Sequence, residues 1–436
     1  MSTSSSSPQL DIAIVGGGIA GCVLSIALSE YKIKHTLYES ASRFGEIGAG
    51  VGFENNFVRV MELISPSIKE AFLRCIEPVS DVNPTWISVA VGDTKRADEN
   101  GVILDTSGGE SKVGDIFFTY PSRPGPRGGI HRAHFLDELV KLIPDDVPSF
   151  GKRLVNITSA EDGSDRPVLQ FADGSTAIHS AVIGCDGIKS RTREILLGIE
   201  EAARPVFSGK YAYRGLIPMG RAIEIMGEEK ARKATMYLGY HRHVLTFPIA
   251  KGSILNVVAF SSKQNWTDEE WVVPTSREAM VADYETWIPE IKGVLAELQR
   301  QDIWALFQHL PASTYFGKQP RICLVGDAAH ASTPFNGAGA GMCVEDCYIL
   351  SSLLSEVQHE PDLCKVFSSY DEVRRSRSQR LVQKSIEAGM LYEFEGPQGD
   401  DIDALISNMT TRMNWIWDFD LRLDLERAQE LVRGSI

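Results

Sequence analysis

The chain has 436 residues, of which 43% are hydrophobic and 23% are charged, so it is long enough for two joined globular domains with a large core. Its formal net charge of −14 argues against nucleic acid as a partner, because a phosphate backbone would be repelled. The seven cysteines include no C-x-x-C pair, which indicates free thiols in a reducing compartment and no metal site.

The amino-terminal residues 1–9 carry neither a basic start nor an apolar run. We therefore expect a disordered tail here and not a signal peptide. No uncharged stretch approaches the roughly 20 apolar residues that a membrane-spanning helix needs. Both features predict a cytoplasmic protein with no integral membrane segment.

The first predicted elements form a β-turn-α unit. The apolar run 10–15 is typical of a strand, and 19–28 is typical of a buried helix. Between them Gly16, Gly18 and Gly21 follow the pattern G-x-G-x-x-G. Glycines at this spacing permit a tight turn, close approach of the backbone to a pyrophosphate, and close packing of the helix. The start of the helix adds N–H groups and positive potential for the phosphates.

A second predicted strand supports this interpretation. The run 34–38 ends at Glu39, where a carboxylate would accept hydrogen bonds from a ribose. The unit therefore predicts dinucleotide binding, and NAD and FAD both fit it.

Two later strands each end at an aspartate. The run 181–185 leads into Asp186, and the run 321–325 is followed by Asp327 in the segment "VGDAAH". Either turn alone could be an ordinary strand exit, because Asp and Gly are favoured turn residues. His330, which ends the second segment, is either a core histidine bonded to the backbone or a substrate contact.

A third glycine-rich turn, "PFNGAGAG", opens an apolar helix near Ala340. The first N–H groups of a helix have no partner within it, so they point at whatever lies before it. An anionic group of a ligand would be stabilised at such a position.

Strand-like runs between about 210 and 260 predict a second, mostly antiparallel sheet. Arg214 lies inside one of them, where a charge is costly unless it is paired. It is either a salt-bridged edge residue or the anchor for the phenolate or carboxylate of an aromatic substrate. Tyr237 and Tyr240 have an odd separation, so only one can face the substrate, and a bulge at Gly239 would favour Tyr240.

The last part of the chain is predicted to be largely helical from residue 361 onward. The segment "DEVRRSRSQR", residues 371–380, is expected to form a solvated charged face. Helices after residue 398 could cap the active site or form a dimer contact.

The glycine turn and the two aspartate turns together resemble the three fingerprints of the flavoprotein aromatic hydroxylases. These single-component FAD monooxygenases include salicylate hydroxylase and p-hydroxybenzoate hydroxylase. The resemblance covers residues 10 to about 377 and is closest to fungal salicylate-hydroxylase-like and polyketide phenol hydroxylases. It implies an α/β fold with a Rossmann-like FAD-binding domain of the p-hydroxybenzoate hydroxylase type, an inserted, mostly antiparallel substrate sheet, and carboxyl-terminal helices.

The expected domains are discontinuous in sequence. Apart from the tail over 1–9, they are a FAD-binding domain over 10–80, 126–200 and 305–365, a substrate domain over 81–125 and 201–304, and a helical segment over 366–436.

The resemblance also implies roles for single residues in cofactor binding. Glu39 matches the acid that binds the FAD adenosine ribose, and Gly16, Gly18 and Gly21 match the phosphate turn. Gly52, in "EIGAGVG", belongs to a segment that passes beside the cofactor.

Four further positions follow from their motifs. Arg132 matches an arginine that opens a helix and reaches the FAD, and Asp186 matches the fingerprint shared by FAD and nicotinamide. Asp327 matches the residue that binds the ribityl chain, and Ala340 lies in the turn beside the isoalloxazine. Ala338 departs from the bacterial pattern, which often has Gln there, so bacterial substrates do not transfer directly.

The implied reaction is hydroxylation of a phenolic aromatic substrate, salicylate-like or a polyketide-derived resorcinol. NADH or NADPH would reduce bound FAD, and O2 would then react through a flavin C4a-hydroperoxide. Arg214 with one tyrosine would hold the phenolate. The absence of a second glycine fingerprint fits a nicotinamide that binds only transiently, and the protein would be a monomer or homodimer. An epoxidase or reductase of the same architecture and a non-catalytic flavoprotein are the alternatives.

Overall fold

The computed structural model describes residues 10–45, 50–76, 85–98, 101–104 and 110–434. The tail expected over 1–9 lies outside these ranges, as do residues 46–49 of the segment "EIGAGVG".

The first layer is a six-stranded sheet built on the predicted β-turn-α unit. Its strands in spatial order are β20 (Phe316–Lys318), β21 (Arg321–Leu324), β13 (Ala181–Gly184), β1 (Asp11–Val15), β2 (Lys34–Tyr38) and β9 (Pro148–Ser149). All neighbouring pairs are parallel except β20 with β21. The central strands are apolar and buried, as expected for a parallel sheet covered on both faces.

The second layer is an eight-stranded sheet. In spatial order it contains β18 (Val272–Pro274), β19 (Asp302–His309), β14 (Pro205–Pro218), β17 (Ile254–Ser262), β16 (Arg242–Ile249), β15 (Thr235–Gly239), β4 (Thr85–Val91) and β7 (Ile116–Pro121). Every pair is antiparallel except β15 with β4, which is parallel. The predicted fold class, a Rossmann-like layer with a mostly antiparallel second sheet, is confirmed.

Three smaller groups of strands complete the β structure. They are the sheet β10 (Leu154–Ser159), β11 (Pro167–Phe171) and β12 (Thr176–Ile178), the ribbon β3 (Gly50–Phe53) with β8 (Gly128–His131), and the ribbon β5 (Val102–Leu104) with β6 (Glu110–Lys112).

The helices cover the first sheet, border the second and form the carboxyl-terminal part of the chain. In chain order they are α1 (Ile19–Glu30), α2 (Asn55–Ile64), α3 (Pro66–Cys75), α4 (Arg132–Val140), α5 (Arg191–Leu197), α6 (Met219–Met226), α7 (Glu228–Ala231), α8 (Arg277–Asp283), α9 (Pro289–Ala296), α10 (Asp327–His330), α11 (Gly339–Ser355), α12 (Leu363–Tyr392), α13 (Ile402–Thr411), α14 (Asn414–Trp417) and α15 (Leu421–Arg433). None of these helices is both long enough and apolar enough to cross a bilayer.

Two of the expected domain boundaries fall inside an element. The boundary between residues 304 and 305 cuts β19, which pairs along its length with β14 and so lies in the second sheet. The boundary between 365 and 366 cuts α12, which begins at Leu363. Neither position carries a Gly or Pro break, so the changes of composition used to place the boundaries do not coincide with the ends of the elements.

The predicted solvated face of 371–380 is wrong for two of its arginines. Arg374 and Arg377 are buried at 0% and 7% exposure, because α12 packs against α11 on this side. Arg374 donates hydrogen bonds to Glu345 at 2.8 Å and to Asp346 at 2.9 Å. The charged segment therefore forms a buried ionic network and not only a surface.

We predict that Arg374→Met lowers the free energy of unfolding by up to roughly 3 to 5 kcal/mol, because two buried carboxylates lose their shared cation and retain only Arg377 beside Glu345 and His330 beside Asp346. Denaturant unfolding followed by circular dichroism measures the loss. The control is Arg427→Met, which removes an exposed pair with Glu372 and should change stability by about 0.5 kcal/mol or less. Equal losses in the two variants would contradict the role assigned to Arg374.

Candidate active site

A cavity of about 820 Å³ lies between the two sheets. On one side it is lined by the glycine turn after β1 and by the start of α11, and on the other by one face of the second sheet. Its volume is in the range of sites that hold a cofactor or ligand.

The glycine turn is shaped by two close approaches of the backbone. Gly16 has φ +108°, and a Cβ there would lie 2.4 Å from the carbonyl oxygen of Cys185. A Cβ on Gly21 would lie 1.9 Å from the carbonyl oxygen of Gly16. Gly16 and Gly18 line the cavity, whereas Gly21 is buried behind the turn and lets α1 pack closely.

Glu39 lies at the same end of the cavity as the glycine turn. Its carboxylate accepts hydrogen bonds from the backbone N–H groups of Gly17 at 2.8 Å and Ala41 at 2.7 Å. The strand end thus holds the acid beside the turn, at the position where the resemblance expects the ribose.

Two helices begin at the cavity wall without a side-chain cap. Gly18 precedes α1 and Ala338 precedes α11, and neither helix has a side-chain hydrogen bond to its first N–H groups. Ala338 and Ala340 both line the cavity. Two positive helix ends that open on one space form a site for anionic or electron-rich groups.

The other predicted cofactor residues also reach this space. Asp327 begins α10 with an exposed side chain, and Arg132 begins α4, and both line the cavity. A Cβ on Gly52 would meet no protein atom within 4 Å. Asp186 lines the cavity edge, but its carboxylate accepts hydrogen bonds from Ser190 and from Thr192, which lie at the start of α5.

Arg214 projects from β14 into the cavity on the side of the second sheet. Its guanidinium lies 4.4 Å from the ring centroid of Trp304. Within the described part of the chain, no carboxylate lies within 4.0 Å of that guanidinium. Burial and then the charge of Arg132 lower the pKa of Arg214, so a bound anion would relieve a real electrostatic cost.

His243 was not identified from the sequence, yet it belongs to the cavity wall formed by the second sheet, where its ring stacks on Phe260. It is fully buried, and its Nδ1 lies 2.9 Å from Oε1 of Glu393. Its Nε2 has no hydrogen-bond partner among the described residues. His243, Leu245 and Phe247 occupy every second position of β16 and therefore share one face of the sheet. This spacing is the sequence signal that could have revealed His243.

Among the described residues that line the cavity, Asn256 and Thr333 also carry buried polar atoms without a hydrogen-bond partner. These atoms are Nδ2 of Asn256 and Oγ1 of Thr333. Oδ1 of Asn256 accepts a hydrogen bond from the backbone N–H of Gly50 at 3.2 Å, which orients the amide. Unsatisfied buried polar atoms are costly, so a polar ligand group is the natural partner for them.

The structure places neither predicted tyrosine at the cavity, which corrects the expectation that one of them faces the substrate. Tyr237 is 1% exposed and packs in the core on the other face of β15, because alternation turns Met236 toward the cavity. Tyr240 lies in the turn after Gly239, where its hydroxyl donates to Asp400.

His330 also lies outside the cavity lining. Its Nε2 is 2.6 Å from Oδ2 of Asp346, and both side chains are fully buried. His330 is therefore a core histidine, as one interpretation expected, but its partner is the side-chain carboxylate of Asp346 and not the backbone.

Comparison with known proteins identifies the class. The family model described as FAD binding domain matches residues 147–385. An FAD-dependent monooxygenase of Monascus ruber is 40% identical over 447 residues, covering 98% of each chain. The 6-methylsalicylate 1-monooxygenase of Aspergillus terreus is 36% identical over 439 residues, covering 99% of this chain and 94% of the relative.

A solved structure agrees with these relatives. A salicylate hydroxylase substrate complex superposes with a TM-score of 0.82 at 31% identity, covering 97% of this chain and 98% of that chain. The chain belongs to the FAD-dependent monooxygenases. Within them it is of the salicylate hydroxylase type.

The residues on the cavity wall fit FAD. The two uncapped helix ends suit the pyrophosphate and an electron-rich ring edge, and Glu39 suits a ribose. The open space above Gly52 would be filled by any side chain there. In the described part of the chain, no group of three or more His, Cys, Asp or Glu side chains is arranged to hold a metal ion.

We predict that Asp327→Ala weakens FAD binding roughly ten- to a hundredfold, because the role that the resemblance implies for Asp327 would give the ribityl hydroxyls a charged acceptor worth about 1.5 to 3 kcal/mol. Fluorescence titration of the apoprotein with FAD measures the dissociation constant. The control is Asp145→Ala, at an exposed position before β9, which should not change it. An unchanged affinity in Asp327→Ala would show that this aspartate is only a turn residue.

Proposed function

We propose that this FAD-dependent monooxygenase hydroxylates a phenolic ring with O2 and with NADH or NADPH as the reductant. The observation that carries the proposal is Arg214, a half-buried cation that faces the cavity and has no carboxylate beside it in the described chain. The names of two relatives, a 6-methylsalicylate monooxygenase and a salicylate hydroxylase, point to phenolic acids or related phenols as the substrate class.

Bound FAD supplies the redox and oxygen-activating chemistry that no side chain of the protein can perform. The glycine turn, Glu39, Asp327 and the start of α11 would hold it on the side of the first sheet. The substrate would then lie between the cofactor and the second sheet, where the polar atoms without partners are found.

Arg214 would bind the phenolate or carboxylate of the substrate. A fixed positive charge in a buried place lowers the pKa of a phenol, which raises the fraction of the electron-rich phenolate near neutral pH. The guanidinium lies over the indole ring of Trp304, and this cation–π contact keeps it in position. The surrounding Met236, Leu245 and Phe247 make the space apolar and so strengthen this attraction.

His243 would accept the phenolic proton at Nε2. Glu393 bonded to Nδ1 fixes the ring and stabilises its protonated form, so the free nitrogen is a base. Burial lowers the pKa of His243 more than the contact with Glu393 raises it, so this pKa lies below its ordinary value. The imidazole is therefore neutral and ready to accept a proton near neutral pH.

Asn256 and Thr333 offer further polar atoms to substituents on the ring. The amide of Asn256 has a free donor, so a carbonyl or carboxylate on the substrate could pair with it. This set of partners suits a phenol with an adjacent acyl or carboxyl group, such as a salicylate or a resorcinol of polyketide origin.

The proposed function is tested by supplying NADH or NADPH and 18O-labelled O2 with a panel of phenols, resorcinols and hydroxybenzoates. We expect at least one phenol to stimulate NAD(P)H oxidation and to gain a hydroxyl group that carries one 18O atom. Oxidation that no phenol stimulates, or a product without the label, would contradict aromatic hydroxylation and favour another reaction on the same fold.

We predict that Arg214→Met keeps FAD bound but lowers hydroxylation roughly a hundredfold or more, because a desolvated charge-assisted contact is worth several kcal/mol. The stem of Met preserves most of the apolar packing. Product formed per NAD(P)H consumed is the measurement, since hydrogen peroxide release could persist. The control is Arg232→Met, which breaks an exposed pair on α7 and should couple normally. Normal coupling in Arg214→Met would make this arginine a structural residue.

A further inference from the structure

A short turn of the first layer, residues 326–330, presents Asp327 to the cavity. It follows β21 and consists of Gly326 and the four residues of α10. In the segment 321–331 every residue except Asp327 is buried. The direction in which Asp327 reaches the cavity is therefore set by the groups that hold the buried backbone of this turn.

The carboxylate of Asp346, on α11, contacts both ends of the turn. Its Oδ2 accepts a hydrogen bond from the backbone N–H of Gly326 at 3.1 Å, one residue before Asp327. The same oxygen lies 2.6 Å from Nε2 of His330, which is the last residue of α10. One carboxylate therefore brackets the residue that faces the cavity.

Asp346 is ionised although it is fully buried. Burial opposes its ionisation, but the neighbouring His330 and Arg374 outweigh that effect and lower the pKa of Asp346 to about 2. Its second oxygen, Oδ1, accepts a hydrogen bond from Nε of Arg374 at 2.9 Å. Because an ionised carboxylate can only accept hydrogen bonds, His330 donates to it from Nε2.

The carbonyl groups of the same turn are held by a cation. Nη1 of Arg193, a fully buried residue of α5, donates to the carbonyl oxygens of Ala328 at 3.1 Å and of Ala329 at 2.6 Å. The donors of the turn thus meet an anion and its acceptors meet a cation. Hydrogen bonds to charged groups are stronger than those between neutral groups, so both sides of the turn are firmly fixed.

Close packing at Gly326 adds to this restraint. Gly326 has φ +64°, and a Cβ there would lie 3.0 Å from Cβ of Cys343 on α11 and 3.2 Å from Cβ of Ala20 on α1. Asp346 lies on α11 about two turns after the uncapped helix end that opens on the cavity. The same helix therefore supplies both that end and the carboxylate that holds Asp327 in place.

A buried ion network explains only part of this arrangement, as the neighbouring Glu345 shows. Glu345 accepts hydrogen bonds from Arg374 at 2.8 Å and from Arg377 at 2.8 and 2.9 Å. Among the described residues, no hydrogen bond joins Glu345 to the turn 326–330. Glu345 and Asp346 thus share their burial and one cation, and they differ in contact with the turn.

We propose that Asp346 is a positioning residue for FAD binding, which fixes the direction in which Asp327 meets the ribityl chain by holding Gly326 and His330. The proposal rests on the proposed function, because bound FAD must contact Asp327. A carboxylate that binds a hydroxyl group has to be held within about 0.5 Å of its productive position, and a turn restrained at both ends meets this requirement.

The first test compares Asp346→Asn with Glu345→Gln. Asn has the size of Asp but only one acceptor oxygen, so it cannot serve both the turn and Arg374. Urea unfolding measures the stability of each variant, and fluorescence titration of each apoprotein with FAD measures the dissociation constant. We expect both variants to lose stability, because each removes a buried charge from the same network. Only Asp346→Asn should weaken FAD binding, by roughly tenfold, because Asp327 loses its alignment.

The second test asks whether Asp346 acts through Asp327. Asp346→Asn is combined with Asp327→Ala, and the dissociation constant of FAD is measured again. We expect the double variant to bind FAD as weakly as Asp327→Ala alone, within about twofold, because no carboxylate is left to position. A general weakening of the fold would instead multiply the two losses.

His330 decides the test if Asp346→Asn fails to fold. His330→Leu removes the contact at one end of the turn and should weaken FAD binding by roughly threefold or more. His330→Gln keeps an N–H donor at a similar reach and should restore most of the affinity. Equal affinities in these two variants would contradict the role of the contact between His330 and Asp346.

Two further outcomes would overturn the proposal. One is an equal change of FAD affinity in Asp346→Asn and Glu345→Gln, and the other is a double variant in which the two losses multiply. Failure of the proposed function would look different, because the FAD affinities would follow the expected pattern while no phenol of the panel yielded a labelled product.

Discussion

The cost of burying charge is the constraint on which this structure depends. A buried ion needs a partner of opposite sign or a full set of hydrogen bonds, since removing water costs several kcal/mol per charge. Arg374 meets this requirement with Glu345 and Asp346 on α11, next to the first sheet. At the far end of the same helix Glu393 meets it with Lys210 on the second sheet. At 1.5 Å per residue these two connections lie roughly 28 Å apart along the axis, so α12 ties both layers together.

Arg214 is a half-buried cation that has no such partner in the described part of the chain. It lies over Trp304 and faces a cavity that also receives two uncapped helix ends. A chain with a net charge of −14 thus concentrates positive potential in one internal space. Such a space attracts anionic groups: the family assignment supplies the phosphates of FAD, and the proposed function would add an ionised phenol.

The two layers divide the chemistry between them. The first sheet provides the glycine turn, Glu39 and Asp327, which suit a cofactor of the family, and the second provides Arg214 and His243, which suit a substrate.

Much of the first layer can be predicted from local sequence. The strand over 10–15, the helix from residue 19 and the strand over 34–38 were predicted within two residues of their ends, because short apolar runs and the G-x-G-x-x-G turn dictate local geometry. The cofactor side of the cavity followed from the same motifs. The antiparallel character of the second sheet was also readable, since aromatic and β-branched runs alternate with glycines.

The substrate side was decided by tertiary structure. Which face of a strand meets a cavity depends on its register and on what packs behind it, so Tyr237 was turned into the core and Met236 outward. The role of His243 depends on Glu393, which lies 150 residues later in the chain and contacts one of its two ring nitrogens. Arg374 and Arg377 looked solvated because charge runs usually are, and only packing against α11 buried them. The sequence alone determined the fold class and the cofactor, since these rest on local motifs, whereas long-range packing decided which side chains face the substrate and which charges are buried.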